Sequence, residues 1–364
     1  MTRRWSGDWA GPPGSGSAAE VDVLIPTRNR PAELAVTLAG LAAQDGPDFA
    51  VVISDQSTDV PSWNHPAAEA MVRVLEAQGR PVRLLRHLPA RGLAEQRHFL
   101  LGQSGAPQVL FLDDDVWLEP DMLARLTAAL ASSGGGFVGA AVQGLSYLAD
   151  RRPEEQQPFE VWENGQVQPE RIRRSQPGFS RWTLHNAANL AHVASGLGIP
   201  PGEWRLYRIA WVGACVLYDR QALLECGGFG FWNQLPPGHA GEDVAAQWRV
   251  MERFGGAGMV PSGAVHLESP TTVTDRSADA AELILGTAEY NPSISNHKGE
   301  RMAEKPSPID VQKTLGGLDY PASKEDIVKK AEGAGAEGTV LEALKNLPER
   351  QYDAPTDISK EIFD

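Results

Sequence analysis

Leu110-Phe111-Leu112-Asp113-Asp114-Asp115-Val116 drives an apolar run straight into three carboxylates. The run reads as a strand, and charge stacked at a strand end is costly unless it serves chemistry. In extended chain alternate side chains share a face, so Asp113 and Asp115 are expected to converge while Asp114 points elsewhere. Two converging carboxylates offer hard oxygens to Mg²⁺ or Mn²⁺, with positions left for substrate phosphates. The competing reading is an acidic turn that caps the helix expected next.

Working outward, the same strand closes a repeated alternation. Val21-Asp22-Val23-Leu24-Ile25 is a β-branched run that ends at Pro26, and Pro31 opens a stretch with Leu34, Leu38 and Leu41 at helical spacing. Strands follow at 50–53, 82–85 and 109–112, with helices at 67–78 and 91–101 between them. The pattern predicts an α/β fold, a mostly parallel sheet between helices, with ligands beyond the carboxyl ends of the strands. Downstream, a helix is predicted at 120–131 and a strand at 137–142. Regular structure is expected again at 209–218, then a short helix to Glu225 and a helix at 242–254. The aromatic stretch 146–208 has weak periodicity and reads as a functional insertion.

After His266 small and polar residues take over, and Pro306 and Pro308 punctuate the end of that stretch. The expected organisation is a flexible tail at 1–20, a large domain at 21–270, a linker at 271–306 and a small all-α domain at 307–364. In the last of these, Ser323-Lys324-Glu325-Asp326 reads as a capping box for a helix at 324–334. Further helices are expected at 339–346 and after Pro355, and Tyr320-Pro321 is echoed by Tyr352-Asp353-Ala354-Pro355.

At 364 residues the chain has room for one large core and an appendage, and its two cysteines argue against a disulfide scaffold. A net charge of −14 disfavours nucleic acid and anionic membrane surfaces. No apolar run reaches bilayer-spanning length, and the first residues carry no secretory signal. The expected location is the cytoplasm, with a peripheral place at the inner membrane face if the acceptor is lipid-linked. No basic amphipathic helix adds to that second location.

Other candidate site residues lie at strand and helix ends. Asp55, in Ser54-Asp55-Gln56-Ser57-Thr58-Asp59, can accept hydrogen bonds from a nucleotide base beside Thr27, or it can form an Asx turn. Asp243 follows Gly241-Glu242 at the start of a helix, placed either as a proton acceptor or as an ordinary acidic first-turn residue. His266 can complete a metal site with the aspartates or be a satisfied core histidine. Arg91 and Arg97 can pair with phosphates or with Asp115, or be solvated. Trp211, Trp232 and Asn233 can bind a sugar, though tryptophans are commonly core.

The order of these pieces resembles glycosyltransferase family 2, with its GT-A fold. The matching segments are Val23-Leu24-Ile25-Pro26-Thr27-Arg28-Asn29-Arg30, Ile53 to Thr58, Arg91-Gly92-Leu93-Ala94-Glu95-Gln96-Arg97, Phe111 to Val116, Gly213-Ala214-Cys215 and Gly241-Glu242-Asp243. The resemblance implies a nucleotide-diphosphate sugar donor, UDP-sugar favoured over GDP- or dTDP-sugar, a divalent cation (Mn²⁺ or Mg²⁺) and inverting transfer. It implies a donor pocket of Thr27, Asn29, Asp55, Arg97, Asp113 and Asp114, and metal ligands Asp115, Asp113 and His266. Asp243 becomes the general base, and Trp211, Trp232, Asn233 and Glu242 fall on the sugar or acceptor side. The acceptor is a glycan, a lipid-linked sugar or a small molecule. The chain departs from the family pattern at Ser54-Asp55-Gln56-Ser57, where Asp-Asp-Gly-Ser is usual, and at Gln96-Arg97-His98, where Ala-Arg-Asn is usual. The tail from Ile309 resembles domain of unknown function 2795, a resemblance that brings no mechanism, and its mixed charge and brief helices suit a module that docks a protein partner or simply solubilises.

Two other readings compete: a non-catalytic nucleotide-sugar-binding scaffold, and a sugar nucleotidyltransferase. The second normally carries a Gly-rich loop after the first strand, and Pro26-Thr27-Arg28-Asn29-Arg30 has no glycine.

Overall fold

In the computed structural model β1 (Val21–Thr27) is buried at every position, as a strand covered on both faces must be. Val21, Val23 and Ile25 enter one apolar cluster while Leu24 enters the other, so the period-2 alternation feeds two cores, one on each side of the sheet. The structure describes residues 4–11, 19–186, 188–273 and 276–286, then 314–315, 318, 321–336, 338–352, 358 and 361–362. The chain divides into two units, Met1–Tyr290 and Asn291–Asp364.

In the first unit, α1 (Pro31–Ala42), β2 (Phe49–Asp55), α2 (Pro66–Ala77), β3 (Val82–Arg86), α3 (Leu93–Gly102) and β4 (Gln108–Leu112) follow the predicted alternation. After them come β5 (Val116–Leu118), α4 (Met122–Ser133), β6 (Phe137–Gly139), β7 (Gln143–Gly144), α5 (Pro153–Gln156), α6 (Asn189–Leu197) and β8 (Arg205–Tyr207). β9 (Cys215–Asp219), α7 (Arg220–Glu225), α8 (Glu242–Phe254), β10 (Ala257–Val260), β11 (Ala264–His266) and α9 (Ala280–Leu285) complete the unit.

Eight strands form one sheet in the order β3-β2-β1-β4-β9-β6-β10-β8, and β5-β11-β7 form a second, small sheet. The β3-β2-β1-β4 half is parallel, whereas β9 runs antiparallel to both β4 and β6. Leu34, Leu38 and Leu41 of α1 are fully buried in one cluster with Met122 and Leu126 of α4. Leu100 of α3 and Val244, Trp248 and Met251 of α8 occupy the other. Each such large side chain contributes roughly 1.5–3 kcal/mol when buried.

Several boundaries differ from the sequence reading, each for a local reason. α3 starts at Leu93, because Gly92 sits at φ 102 and cannot continue a helix backwards. The strand expected through Val142 stops at Gly139, and the chain re-enters the small sheet at β7. Residues 209–214 are irregular and β9 begins only at Cys215, after Ala214 at φ 66. The expected linker contains α9, whose Ala280 and Ala281 are buried against the core that α8 also fills. Within the expected tail, Arg4 N–H donates to the Gln78 carbonyl at 3.1 Å.

The second unit is not all-α among its described residues. β12 (Ala322–Ser323) pairs antiparallel with β13 (Gln351–Tyr352), around α10 (Lys324–Gly333) and α11 (Gly338–Lys345). Tyr352 is fully buried with Ile327, Ala331 and Leu344, so the ribbon closes the small core. The capping box forms as expected, with Ser323 Oγ accepting from Asp326 N–H. The segment after Pro355 lies outside the described residues apart from Ile358, Glu361 and Ile362.

Candidate active site

Thr27 pairs in register with Asp55, so the parallel strands end on one edge, and the acidic run leaves β4 at that edge. Strand alternation does not govern the three aspartates, because the extended ladder ends at Leu112. Asp113 N–H instead donates to the Ala214 carbonyl, and the Asp115 carbonyl accepts from Leu267 N–H, both at 2.9 Å. The run is therefore held between the entry to β9 and the exit of β11.

Each carboxylate has its own partner. Asp113 Oδ1 accepts from Arg97 Nη2 at 2.9 Å. Asp114 Oδ2 accepts from Thr27 Oγ1 at 2.6 Å, and its Oδ1 accepts from Arg30 Nη1 at 3.0 Å. Asp115 Oδ2 accepts from the same Arg30 nitrogen at 2.7 Å and faces His266 Nε2 at 3.5 Å. Arg30 also donates through Nη2 to the Pro270 carbonyl. The expectation that Asp114 stands apart from Asp115 is thus corrected: one guanidinium gathers both. Burial pushes the Asp114 carboxyl up to about 7 against the pull of Thr27 and Arg30. Asp115 is raised by burial and then by repulsion from Asp113, which His266 and Arg30 oppose.

Arg97 is the hub between the aspartates and α8. Its Nε donates to Glu242 Oε1 at 3.1 Å, while Nη2 holds Asp113. Its pairing is with Asp113, not with Asp115. Burial works to lower the Arg97 guanidinium, yet Asp113, Glu242 and Asp243 carry it above its ordinary value. Glu242 is raised by burial, which Arg97 opposes. Asp243, partly buried beside it, is pushed up to about 7 by burial and then by Glu242. Gly241, at φ 77, is the N-cap of α8 and offers no side chain; Asp243 Oδ1 accepts from Val244 N–H at 2.9 Å within the first turn, while Glu242 is held by Arg97.

The remaining candidates divide. Asp55 is fully buried, and its oxygens accept from Ser57 N–H at 2.5 Å and Ser62 N–H at 2.6 Å, so the Asx turn is what forms. Asn29, at φ 55, donates its N–H to Ser57 Oγ at 2.8 Å and is exposed. Trp211 packs at a tilt against His185, with ring centroids 4.0 Å apart, and against Trp182 at 5.0 Å. Burial holds the His185 imidazole down at about 4, helped by His266, so a neutral ring from the insertion borders the carboxylate site. Trp232 lies instead beside His98 of α3 at 6.4 Å, and Asn233 and Arg91 are exposed.

His266 Nδ1 accepts from Glu268 N–H at 2.9 Å, which leaves the proton of the neutral ring on Nε2, the nitrogen facing Asp115. Among the described residues no three His, Cys, Asp or Glu side chains are gathered to hold a metal ion as they stand. The carboxylates of Asp113 and Asp115 fit a hard cation by donor type and by their mutual repulsion. His266 fits only once the Glu268 N–H bond opens and the ring proton moves to Nδ1.

Sequence reasoning passed over two residues here. Arg30 was visible in the run after β1, but its partners lie 84 and 85 residues away. His239 is 2% exposed and clamps two elements: Nε2 accepts from Ala94 N–H at 3.1 Å and Nδ1 donates to the Pro236 carbonyl at 2.7 Å. No local pattern marks a histidine that caps a helix 145 residues earlier.

Residues 22–193 match the profile of Glycosyl transferase family 2. Residues 306–359 match a family of proteins of unknown function, DUF2795. Galactofuranosyltransferase GlfT2 of Mycolicibacterium smegmatis is 34% identical over 131 residues, 34% of this chain and 19% of that protein. Succinoglycan biosynthesis protein ExoM of Rhizobium meliloti is 31% identical over 121 residues, 32% of this chain and 37% of that protein. The matched segments thus span well under half of these relatives. Mannosyltransferase PcManGT of Pyrobaculum calidifontis, solved with GDP-Man and Mn²⁺, is similar with a TM-score of 0.44 and 16% identity, over 73% of this chain and 64% of that one. No helix among the described residues is long and apolar enough to cross a membrane.

Proposed function

We propose that the chain transfers a sugar, with inversion, from a nucleotide-diphosphate donor to an acceptor hydroxyl, with a UDP-sugar as the favoured donor. The observation that carries this reading is the placement of Asp243 next to the Arg97 bridge between Asp113 and Glu242. Inversion needs one base on the acceptor side and charge stabilisation on the leaving-group side, and the two carboxylate groups here are separate but linked. Asp243, with its carboxyl raised toward neutrality, takes the proton of the attacking hydroxyl. A carboxylate at its ordinary value would be a weaker base for that step. Thr27 fixes Asp114, and Arg30 and Arg97 orient the acidic run. Asp115 and Asp113 would hold a divalent cation, whose part when bound is to neutralise the departing diphosphate. Trp211 with His185 offers an aromatic face for a sugar beside the carboxylates.

The acceptor is a glycan, lipid-linked or small-molecule hydroxyl, and the C-terminal unit is a docking module. Replacing Asp243 with Asn tests the base: transfer should fall by several orders of magnitude with donor binding retained. Full activity in that variant would remove Asp243 from the mechanism, and donor binding without turnover in the unaltered chain would favour the scaffold reading.

A further inference from the structure

Among the described residues, two buried polar atoms at the donor edge of the sheet have no hydrogen-bond partner. Gln56 Nε2 is a donor without an acceptor, and Glu95 Oε2 is an acceptor without a donor. Gln56 is 4% exposed and Glu95 8% exposed. Buried polar atoms in folded proteins are nearly always paired, so an unpaired donor and acceptor in one region point to a partner that arrives with a ligand.

The fold places the two together. His87 N–H donates to the Asp55 carbonyl at 2.9 Å, and the His87 ring holds the other Glu95 oxygen at 2.7 Å. Gln96, next to Glu95 in the first turn of α3, donates to the Ser54 carbonyl at 2.7 Å. Glu95 therefore lies against the turn that Gln56 occupies. Gln56 N–H donates to the Thr27 carbonyl at 3.0 Å, the oxygen that Gln96 Nε2 also reaches at 3.4 Å, so the first turn of α3 lies beside Gln56. Each Asp55 oxygen already accepts a backbone N–H, whereas Gln56 Nε2 and Glu95 Oε2 have no partner among the described residues.

Resting on the proposed donor site, we propose that Gln56 and Glu95 read the nucleotide base and select one that shows a carbonyl beside a ring N–H. Gln56 Nε2 donates to the carbonyl, and the Glu95 carboxylate accepts from the N–H. Uracil, thymine and guanine present that edge. Cytosine and adenine present the reverse, a ring nitrogen acceptor beside an amino donor, and would leave both buried groups facing their own kind.

The test is calorimetric titration of the full chain with UDP, dTDP, GDP, CDP and ADP, each with Mn²⁺. The comparison set is the unaltered protein, Gln56→Glu, Gln56→Ala and Glu95→Gln, with thermal melting to confirm that each variant folds. The unaltered chain should bind its best carbonyl-bearing nucleotide at least roughly tenfold more tightly than CDP or ADP. Gln56→Glu should weaken that nucleotide by about tenfold and narrow the gap to CDP, and Gln56→Ala and Glu95→Gln should narrow it less. A preference among the bases that is unchanged in all three folded variants, or a preference for CDP or ADP in the unaltered chain, overturns the assignment. Absence of nucleotide binding in the unaltered chain overturns the donor-site reading beneath it as well.

Discussion

Arg97 binds Asp113 and Glu242 at once, Nη2 to Oδ1 at 2.9 Å and Nε to Oε1 at 3.1 Å, and so ties the acidic run after β4 to the first turn of α8. The Arg97 and Glu242 side chains are each only 5% exposed. Removing one partner of a buried pair strands the other charge, so Arg97→Met should destabilise the large unit by about 3–5 kcal/mol. Arg97→Lys, which keeps the charge but loses the two-pronged geometry, should fall between. Urea unfolding followed by tryptophan fluorescence reads both variants, and equal stability of Arg97→Met and the native chain would contradict the bridge.

The raised Asp243 carboxyl gives a pH dependence with a definite sign. Its folded value lies near 7 against an ordinary 3.8, so the folded state holds the proton more tightly. The group costs the fold nothing below about pH 4; the cost grows as pH rises toward 7 and then levels off. Asp243→Asn should therefore raise the melting temperature at pH 8 and leave it nearly unchanged at pH 4. In the native chain, transfer should rise with pH through about 7 as the base ionises. A flat rate from pH 5.5 to 8.5 would contradict that assignment.

Gly92 is a point where packing and backbone agree. At φ 102, a Cβ there would meet His239 Cε1 at 2.5 Å and the Pro237 carbonyl oxygen at 2.8 Å. The second contact is backbone and cannot rotate away. Gly92→Ala should cost on the order of 1–3 kcal/mol and weaken nucleotide binding through displacement of α3 and its Arg97. Denaturation and calorimetry on the same preparation test both halves.

Arg30 Nη1 bonds Asp115 Oδ2, an oxygen that the proposed cation would need. Arg30→Gln should accordingly bind Mn²⁺ more tightly than the native chain in the absence of nucleotide. Unchanged Mn²⁺ affinity would show that the guanidinium and the cation do not compete.

How much of this was legible beforehand follows the range of the interactions. The β1 to β4 alternation was readable because Val21, Val23, Ile25 and Leu34, Leu38, Leu41 carry their periods locally. The acidic run stood out because carboxylates after an apolar strand are rare in an indifferent sequence. The partners of those carboxylates were not readable: Glu242 is 145 residues from Arg97, and Arg30 reaches forward 84 residues to Asp114. The C-terminal ribbon escaped for a different reason, since two-residue strands such as Ala322–Ser323 carry no period at all. Nor could sequence choose between an Asx turn and a base contact at Asp55, because the choice depended on Ser62 N–H folding back onto the carboxylate.

A donor nucleotide held through the carboxylates after β4 is read out by calorimetric titration of UDP with and without Mn²⁺, on the native chain and on Asp115→Ala. Binding should require Mn²⁺ and be lost in Asp115→Ala. Binding that is unaffected by either change, or no binding in the native chain to UDP, GDP or dTDP, would contradict it.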